Sequence, residues 1–96
     1  MEKYKINECM ERLTYHQHKL IKRLIPQLIN ASINTFHNYR KLQLGDEKDI
    51  PYETVRILER LFELKVGGLA NYDVNVKSCR ELFKEHKVRY TEVLGR

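Results

Sequence analysis

The chain has 96 residues, of which 42% are hydrophobic and 32% are charged, and its formal net charge is +5. This length allows one domain with a single modest core and leaves no room for a deep substrate cavity. Because glycine and proline are few, at four and two residues, helices are favoured over a turn-rich β architecture. We therefore expect an all-α fold, a compact bundle of about five helices with a helical or mixed carboxy-terminal tail.

Several functional classes are disfavoured by what the sequence lacks. No apolar run has the length of a membrane span, about 20 residues, and no signal-peptide core is visible, so we expect a cytoplasmic protein with no membrane partner. Cys9 and Cys79 form no CxxC pair, which favours reduced thiols over a disulfide or a metal knuckle. Ser32 and Ser78 lack a paired His and acid, and no glycine-rich phosphate loop is present. We expect no enzyme activity, no cofactor and no small-molecule effector.

The positive charge is concentrated in one segment, residues 12–45. Its 34 residues include six Lys or Arg, three His and no Asp or Glu, whereas residues 1–11 carry a net charge of −1 and residues 46–96 a net charge of zero. An acid-free basic segment of this length predicts a surface that faces polyanions.

Two helices are predicted before residue 30. The first is indicated by apolar residues at helical spacing, namely Ile6, Met10 and Leu13. The second begins after Thr14, because Thr14 and Gln17 have the spacing of a capping box. Its apolar stripe consists of Leu20, Ile21, Leu24, Ile25 and Leu28. Pro26 either kinks this helix or ends it and begins another.

A three-residue turn is predicted next, at residues 30–32. Asn30 tolerates the left-handed conformation that ends a helix, and Ser32 is a preferred N-cap. The following helix extends from Ile33 to about Leu42 and turns Phe36 and Tyr39 toward the core. Gly45 then ends this helix or begins the loop.

Two further helices complete the prediction. Asp49 is a possible cap and Pro51 suits the first turn of the fourth helix, which Gly67 and Gly68 end. The buried stripe of that helix is Val55, Leu58, Leu61 and Phe62. Ser78 and Glu81 form a second capping box that opens the last helix. Residues 88–96 could be a strand, a packed arm or a frayed end.

Residues 14–64 resemble the lambda-repressor-like helix-turn-helix DNA-binding family. The matching positions are Asn30, Ala31 and Ser32 in the turn, Phe36 and Tyr39 on the buried side of the next helix, and Pro51 at the start of the one after. The sequence departs from the family pattern at Pro26, where a small Ala is usual, and in a longer loop after the recognition helix.

The resemblance implies that the helix at 33–42 enters the major groove of double-stranded DNA. The residues that would then meet base edges are Ile33, Asn34, His37, Asn38 and Lys41. An Asn amide complements adenine, and a good bidentate contact is worth about 1–3 kcal/mol of discrimination. The residues that would contact DNA phosphates are Lys19, Lys22, Arg23, Ser32 and Arg40.

The same resemblance predicts a small transcriptional regulator, by analogy one from a phage, plasmid or other mobile element. Residues 1–65 would form the DNA-binding domain, and residues 66–96 an extension that packs on it or mediates dimerisation. A homodimer is expected because one helix-turn-helix reads about half of an operator. The tail offers unassigned apolar residues for that contact: Val74, Val76, Leu82, Phe83, Val88, Val93 and Leu94.

Other interpretations stay open at the level of sequence. A protein-interaction module, an adaptor or inhibitor with an acidic partner, would use the same basic surface, although such a helix more often exposes Leu, Met or aromatic anchors. RNA binding is less favoured, because no aromatic-sheet or glycine-loop signature is present. His16 and His18 could suggest a metal, but residues i and i+2 lie on different helix faces.

Overall fold

A computed structural model describes residues 1–89. In this range the chain forms five helices: α1 (Ile6–Glu11), α2 (Tyr15–Ile29), α3 (Ile33–Lys41), α4 (Tyr52–Leu61) and α5 (Cys79–Glu85). Extended pairing there is limited to two isolated bridges, so the all-α prediction is confirmed for this part of the chain. No helix within it is long and apolar enough to cross a bilayer. The tail residues Val93 and Leu94 lie outside the described range.

The start of α2 is capped as the sequence predicts. Thr14 Oγ1 accepts a hydrogen bond from the Gln17 amide at 3.2 Å, and Gln17 Oε1 accepts one from the Thr14 amide at 3.0 Å. The helix continues through Pro26 to Ile29, so the alternative in which another helix begins at the proline is wrong. Buried Ile25 and Ile29 flank the proline, and their packing offsets the backbone bond that its ring removes.

The predicted turn at residues 30–32 is confirmed. Asn30 has φ 52° and ψ 49°, a left-handed conformation that ends α2. Ser32 Oγ accepts a hydrogen bond from the Thr35 amide at 3.1 Å and so caps α3. Phe36 then inserts into the core with no exposed surface, which fixes the rotation of α3 about its axis.

Two predictions around α4 are wrong. Asp49 does not cap this helix, because its carboxylate accepts bonds from the Ile50 amide at 2.8 Å and from the Tyr4 hydroxyl. The helix also ends at Leu61, well before the two glycines, and Glu63 takes up a left-handed conformation with φ 57°. A left-handed residue cannot continue a helix, so the chain turns there.

Residues 1–5, the amino-terminal segment, pair with other parts of the chain on both sides. One side faces residues 42–44, just after α3, and the other faces residues 69–71, beyond α4. The four backbone bonds connect Lys3 N with Leu42 O, Leu44 N with Met1 O, Lys5 N with Leu69 O and Asn71 N with Lys3 O, at 2.8–2.9 Å. The segment therefore ties the loop after α3 to the chain beyond α4.

One core holds the first four helices together. Its fully buried side chains come from every one of these helices and from the chain beyond α4: Phe36, Ile6, Met10, Ile25, Leu58 and Leu69. Tyr39 and the remaining predicted α4 residues pack against this cluster with partial exposure. By contrast, α5 has no buried residue. Residues up to about 70 thus share one core. No buried side chain of this core comes from α5.

The left-handed turn between α2 and α3 can be tested by a matched pair of substitutions at Asn30. Asn30→Ala should lower the free energy of unfolding by about 1 kcal/mol, because a Cβ without a compensating side chain is disfavoured at this φ. Asn30→Gly should leave it close to the parent value. Urea unfolding measures both, and equal losses in the two variants would contradict the assigned conformation.

Candidate nucleic-acid interface

The outer face of α3 follows from how the helix is packed. Phe36 is fully buried and Ile33 and Tyr39 pack against the core with partial exposure. Asn34, Asn38 and Lys41 are exposed on the remaining surface. The sequence interpretation placed Ile33 among the outward residues, but its side chain belongs in large part to the core, because it lies three positions before Phe36 and on the same side of the helix.

A groove of about 470 Å³ runs along this outer face. Its lining comprises Asn7, Asn34, His37, Asn38, Arg40 and Lys41. Four of the five predicted base-contact residues are therefore in one place, together with one predicted phosphate contact. No acidic side chain lines the groove.

The two amides of this face are free to bind. Within residues 1–89, the side chains of Asn34 and Asn38 make no hydrogen bond, and both are exposed on successive turns of α3. Each amide carries a donor and an acceptor. The pair thus presents two donor–acceptor sets, one helical turn apart, to whatever enters the groove.

Arg40 is held in position by a residue that the sequence interpretation missed. Its Nε donates to Asn7 Oδ1 at 2.6 Å, while Asn7 Nδ2 donates to the Arg40 carbonyl at 3.3 Å. The guanidinium also lies over the Phe36 ring, 5.9 Å from its centroid. Because Asn7 is 33 residues away in sequence, no local spacing could have revealed the contact.

Asn7 also brings an acidic group toward the end of α3. Its Nδ2 donates to Glu2 Oε2 at 2.5 Å, so a carboxylate from the amino-terminal segment lies behind the Asn7–Arg40 contact. The basic segment is acid-free in sequence, but its surroundings in the fold are not. The carboxylate stands outside the groove lining and helps to orient the Asn7 amide.

The pKa of His37 is affected by the positive charges around the groove. Its imidazole is half-buried, and Nδ1 lies 3.5 Å from the Arg40 guanidinium. Partial burial, followed by the positive charges of Arg40, Lys22 and Lys41, lowers the pKa of His37 below its ordinary value of 6.5. In the neutral ring, Nδ1 accepts from the Arg40 guanidinium, which can only donate, and Nε2 keeps its proton as a free donor.

The predicted phosphate contacts of α2 differ in their surroundings. Lys22 is half-buried and its charge acts on His37, which places it beside the α3 groove. Lys19 and Arg23 are exposed, and the Lys19 ammonium lies 5.8 Å from the centroid of the Tyr15 ring. Lys22 thus extends the positive surface of the groove onto α2.

Ser32, the fifth predicted phosphate contact, already has a structural role. Its hydroxyl oxygen accepts from the Thr35 amide and lies 3.0 Å from Thr35 Oγ1. The residue remains exposed at the first turn of α3, where backbone amides lack helical partners. An anion could approach the amides at this end of the helix.

A larger cavity of about 610 Å³ lies between the amino-terminal segment and α4. Its two carboxylates nearest the core are engaged: Asp49 pairs with Lys3 at 2.9 Å, and Glu59 accepts from the Leu69 amide at 3.2 Å. Elsewhere among residues 1–89, no three His, Cys, Asp or Glu side chains come together in a way that could hold a metal ion, His16 and His18 included. The α3 groove, by contrast, combines two open amides, Asn34 and Asn38, with basic side chains.

Comparison of the chain with protein-family models, curated proteins and solved structures found no match. The case for a function therefore rests on the geometry and chemistry of the groove.

The proximity of the α2 cations to the groove can be tested through His37. Because the Lys22 charge contributes to the lowered pKa of His37, Lys22→Gln should raise that pKa toward 6.5. Arg23→Gln removes an equal charge from the neighbouring position and should have a smaller effect. An NMR titration of the His37 ring measures this, and no difference between the two variants would contradict the placement of Lys22.

Proposed function

We propose that the chain is a small transcriptional regulator that binds double-stranded DNA in a sequence-specific manner. In this proposal α2, the turn at residues 30–32 and α3 act as a helix-turn-helix, and α3 enters the major groove. The observation that carries the proposal is the α3 groove, where the unpartnered amides of Asn34 and Asn38, the His37 imidazole and basic side chains meet without an acidic residue.

The side chains of the groove suit the edges of base pairs. The Asn34 and Asn38 amides can each pair with the N6 and N7 positions of adenine, and Lys41 can donate to guanine O6 or N7. A neutral His37, whose Nδ1 faces the Arg40 guanidinium, can donate from Nε2 to a base edge. An α-helix with its side chains is about 10–12 Å across, which suits a major groove about 12 Å wide, and the nine residues of α3 make it about 14 Å long.

Positioning on the DNA would come from the phosphate contacts. Lys22 lies beside the groove, Lys19 and Arg23 are exposed on the same helix, and the first turn of α3 offers backbone amides next to Ser32. Contacts of this kind fix the register of a protein on the duplex without reading sequence. Arg40 contributes positive charge from a fixed position, since Asn7 restrains its guanidinium.

A protein partner for the same surface is less well supported. A helix that binds a protein usually presents Leu, Met or aromatic anchors, whereas the exposed residues of the α3 groove are Asn34, Asn38 and Lys41. This face offers hydrogen-bonding groups and positive charge but little apolar area. Those properties favour nucleic acid over an acidic protein.

We further propose that the regulator acts as a homodimer on a near-palindromic operator. One α3 reads only a few base pairs, so a second copy related by a two-fold axis is needed for a site of useful length. Half-sites would then lie about one helical turn of DNA apart.

The proposal is tested by selection from a random-sequence duplex library. The parent chain should enrich a near-palindrome, and the Asn34→Ala/Asn38→Ala variant should lose that enrichment while remaining folded. The loss expected is about 1–3 kcal/mol of discrimination per amide. Asn75→Ala, an exposed amide outside α3, is the matched control. Binding without an enriched sequence, or enrichment that survives the double substitution, would overturn the proposal.

The phosphate contacts have a separate signature in the salt dependence of binding to an enriched duplex. Replacing Lys19, Lys22 or Arg23 with Gln should reduce the slope of log K against log salt by about 0.9 each. Lys65→Gln, an exposed charge outside the basic segment, should leave the slope unchanged. Equal slopes in all four variants would show that α2 does not contact the phosphates.

A further inference from the structure

One side of α2 carries a row of exposed leucines. Leu20, Leu24 and Leu28 are spaced four residues apart and keep 44%, 36% and 43% of their surface exposed. At 3.6 residues per turn, they lie on one flank of the buried Ile25 and Ile29, whereas Lys19 and Lys22 lie on the other. The leucine row is thus separate from the α3 groove.

The row leads into an apolar groove of about 450 Å³ between the end of α2 and α4. Its lining comprises Leu28, Glu53, Arg56, Ile57, Arg60 and Leu61. The apolar members come from both helices, and the charged members lie along the exposed edge of α4. We call the leucine row and this groove together the leucine face.

We propose that the leucine face binds a second copy of this chain, with α4 packed antiparallel to α4 of the partner across a two-fold axis. The proposal names the surface through which the homodimer proposed above would form. It rests on the proposed function only for the role of the dimer on DNA, and not for the contact itself. The partner's α3 would remain free, because the leucine face and the α3 groove occupy different flanks of the bundle.

The charges along α4 match this arrangement. Glu53 and Arg60 lie seven residues apart on one side of the helix, at its acidic start and basic end. With the two-fold axis between positions 56 and 57, Glu53 faces the partner's Arg60, and Arg60 faces the partner's Glu53. Within residues 1–89 neither side chain has an ion pair of its own, so both are available across the interface.

The centre of the interface is also self-complementary. The two-fold axis places Arg56 opposite the partner's Ile57, so that its aliphatic stem can cover the isoleucine. The guanidinium is directed toward Tyr52, whose hydroxyl accepts from Nη1 at 3.1 Å. This contact keeps the charge of Arg56 at the rim, and the two Arg56 side chains do not meet head to head.

The shape of the leucine face suits a two-fold contact. The row spans the nine residues from Leu20 to Leu28, about 12 Å from the first to the last at the helical rise. Because a two-fold contact uses the same patch twice, one apolar row suffices.

Sedimentation of the full chain without DNA tests the proposal. The parent should show a concentration-dependent monomer–dimer equilibrium, and Leu28→Glu should weaken it at least tenfold with an unchanged helical circular dichroism spectrum. The matched control is Val74→Glu/Val76→Glu, which places charge on exposed apolar residues of the tail and should dimerise like the parent. A parent that is monomeric at every concentration, or a dimer lost only in the tail variant, would overturn the proposal.

A charge exchange tests the antiparallel pairing even if the leucine substitution harms folding. Arg60→Glu should weaken the dimer, since two carboxylates then face each other, and Glu53→Arg/Arg60→Glu should restore it. Lys84→Glu, on α5, makes the same change in net charge as Arg60→Glu and should have no effect. Failure of the double exchange to restore the dimer would reject this pairing. A dimer that binds no DNA would reject the proposed function and leave the leucine face in place.

Discussion

The backbone pairing of residues 1–5 with residues 42–44 on one side and residues 69–71 on the other is the constraint on which the remaining structure depends. By bonding to the chain after α3 and to the chain beyond α4, this segment joins parts of the protein that are far apart in sequence. It also directs Ile6 into the core and starts α1 where Asn7 reaches Arg40. The position of α3 therefore depends on contacts made by residues near the amino terminus. Shortening the chain at its amino terminus would affect the groove without removing any residue from α3.

The two flanks of α2 divide the surface of the bundle between two kinds of contact. One flank carries Lys19 and Lys22 and continues into the α3 groove, where polar and positive groups are exposed. The other carries the leucine row and continues into α4, where the exposed surface is apolar with charges of both signs. Ile25 and Ile29, buried between them, fix the rotation of α2. One amphipathic helix thus separates a surface suited to a polyanion from a surface suited to a second copy.

Local signals were predictable and distant contacts were not. The Thr14 capping box and the turn at Asn30 and Ser32 depend on neighbouring residues, so the sequence indicated them correctly. The clustering of groove residues on one side of α3 followed from helical periodicity. The contact of Asn7 with Arg40 and the end of α4 near Glu63 depend on tertiary packing, which no local pattern encodes. Ile33 shows the same limit, since periodicity left it at the boundary between the outer face and the core.

The central claim is that the outer face of α3 contacts DNA, and an NMR titration with a duplex of about 20 base pairs tests it most directly. Backbone and side-chain amide signals of Asn34 and Asn38, with those of Lys41, should shift and saturate at a fixed ratio of protein to DNA. Signals of Leu28 and Ile57 on the leucine face should shift far less. Saturable shifts confined to the leucine face or to α5, with α3 unchanged, would contradict the account.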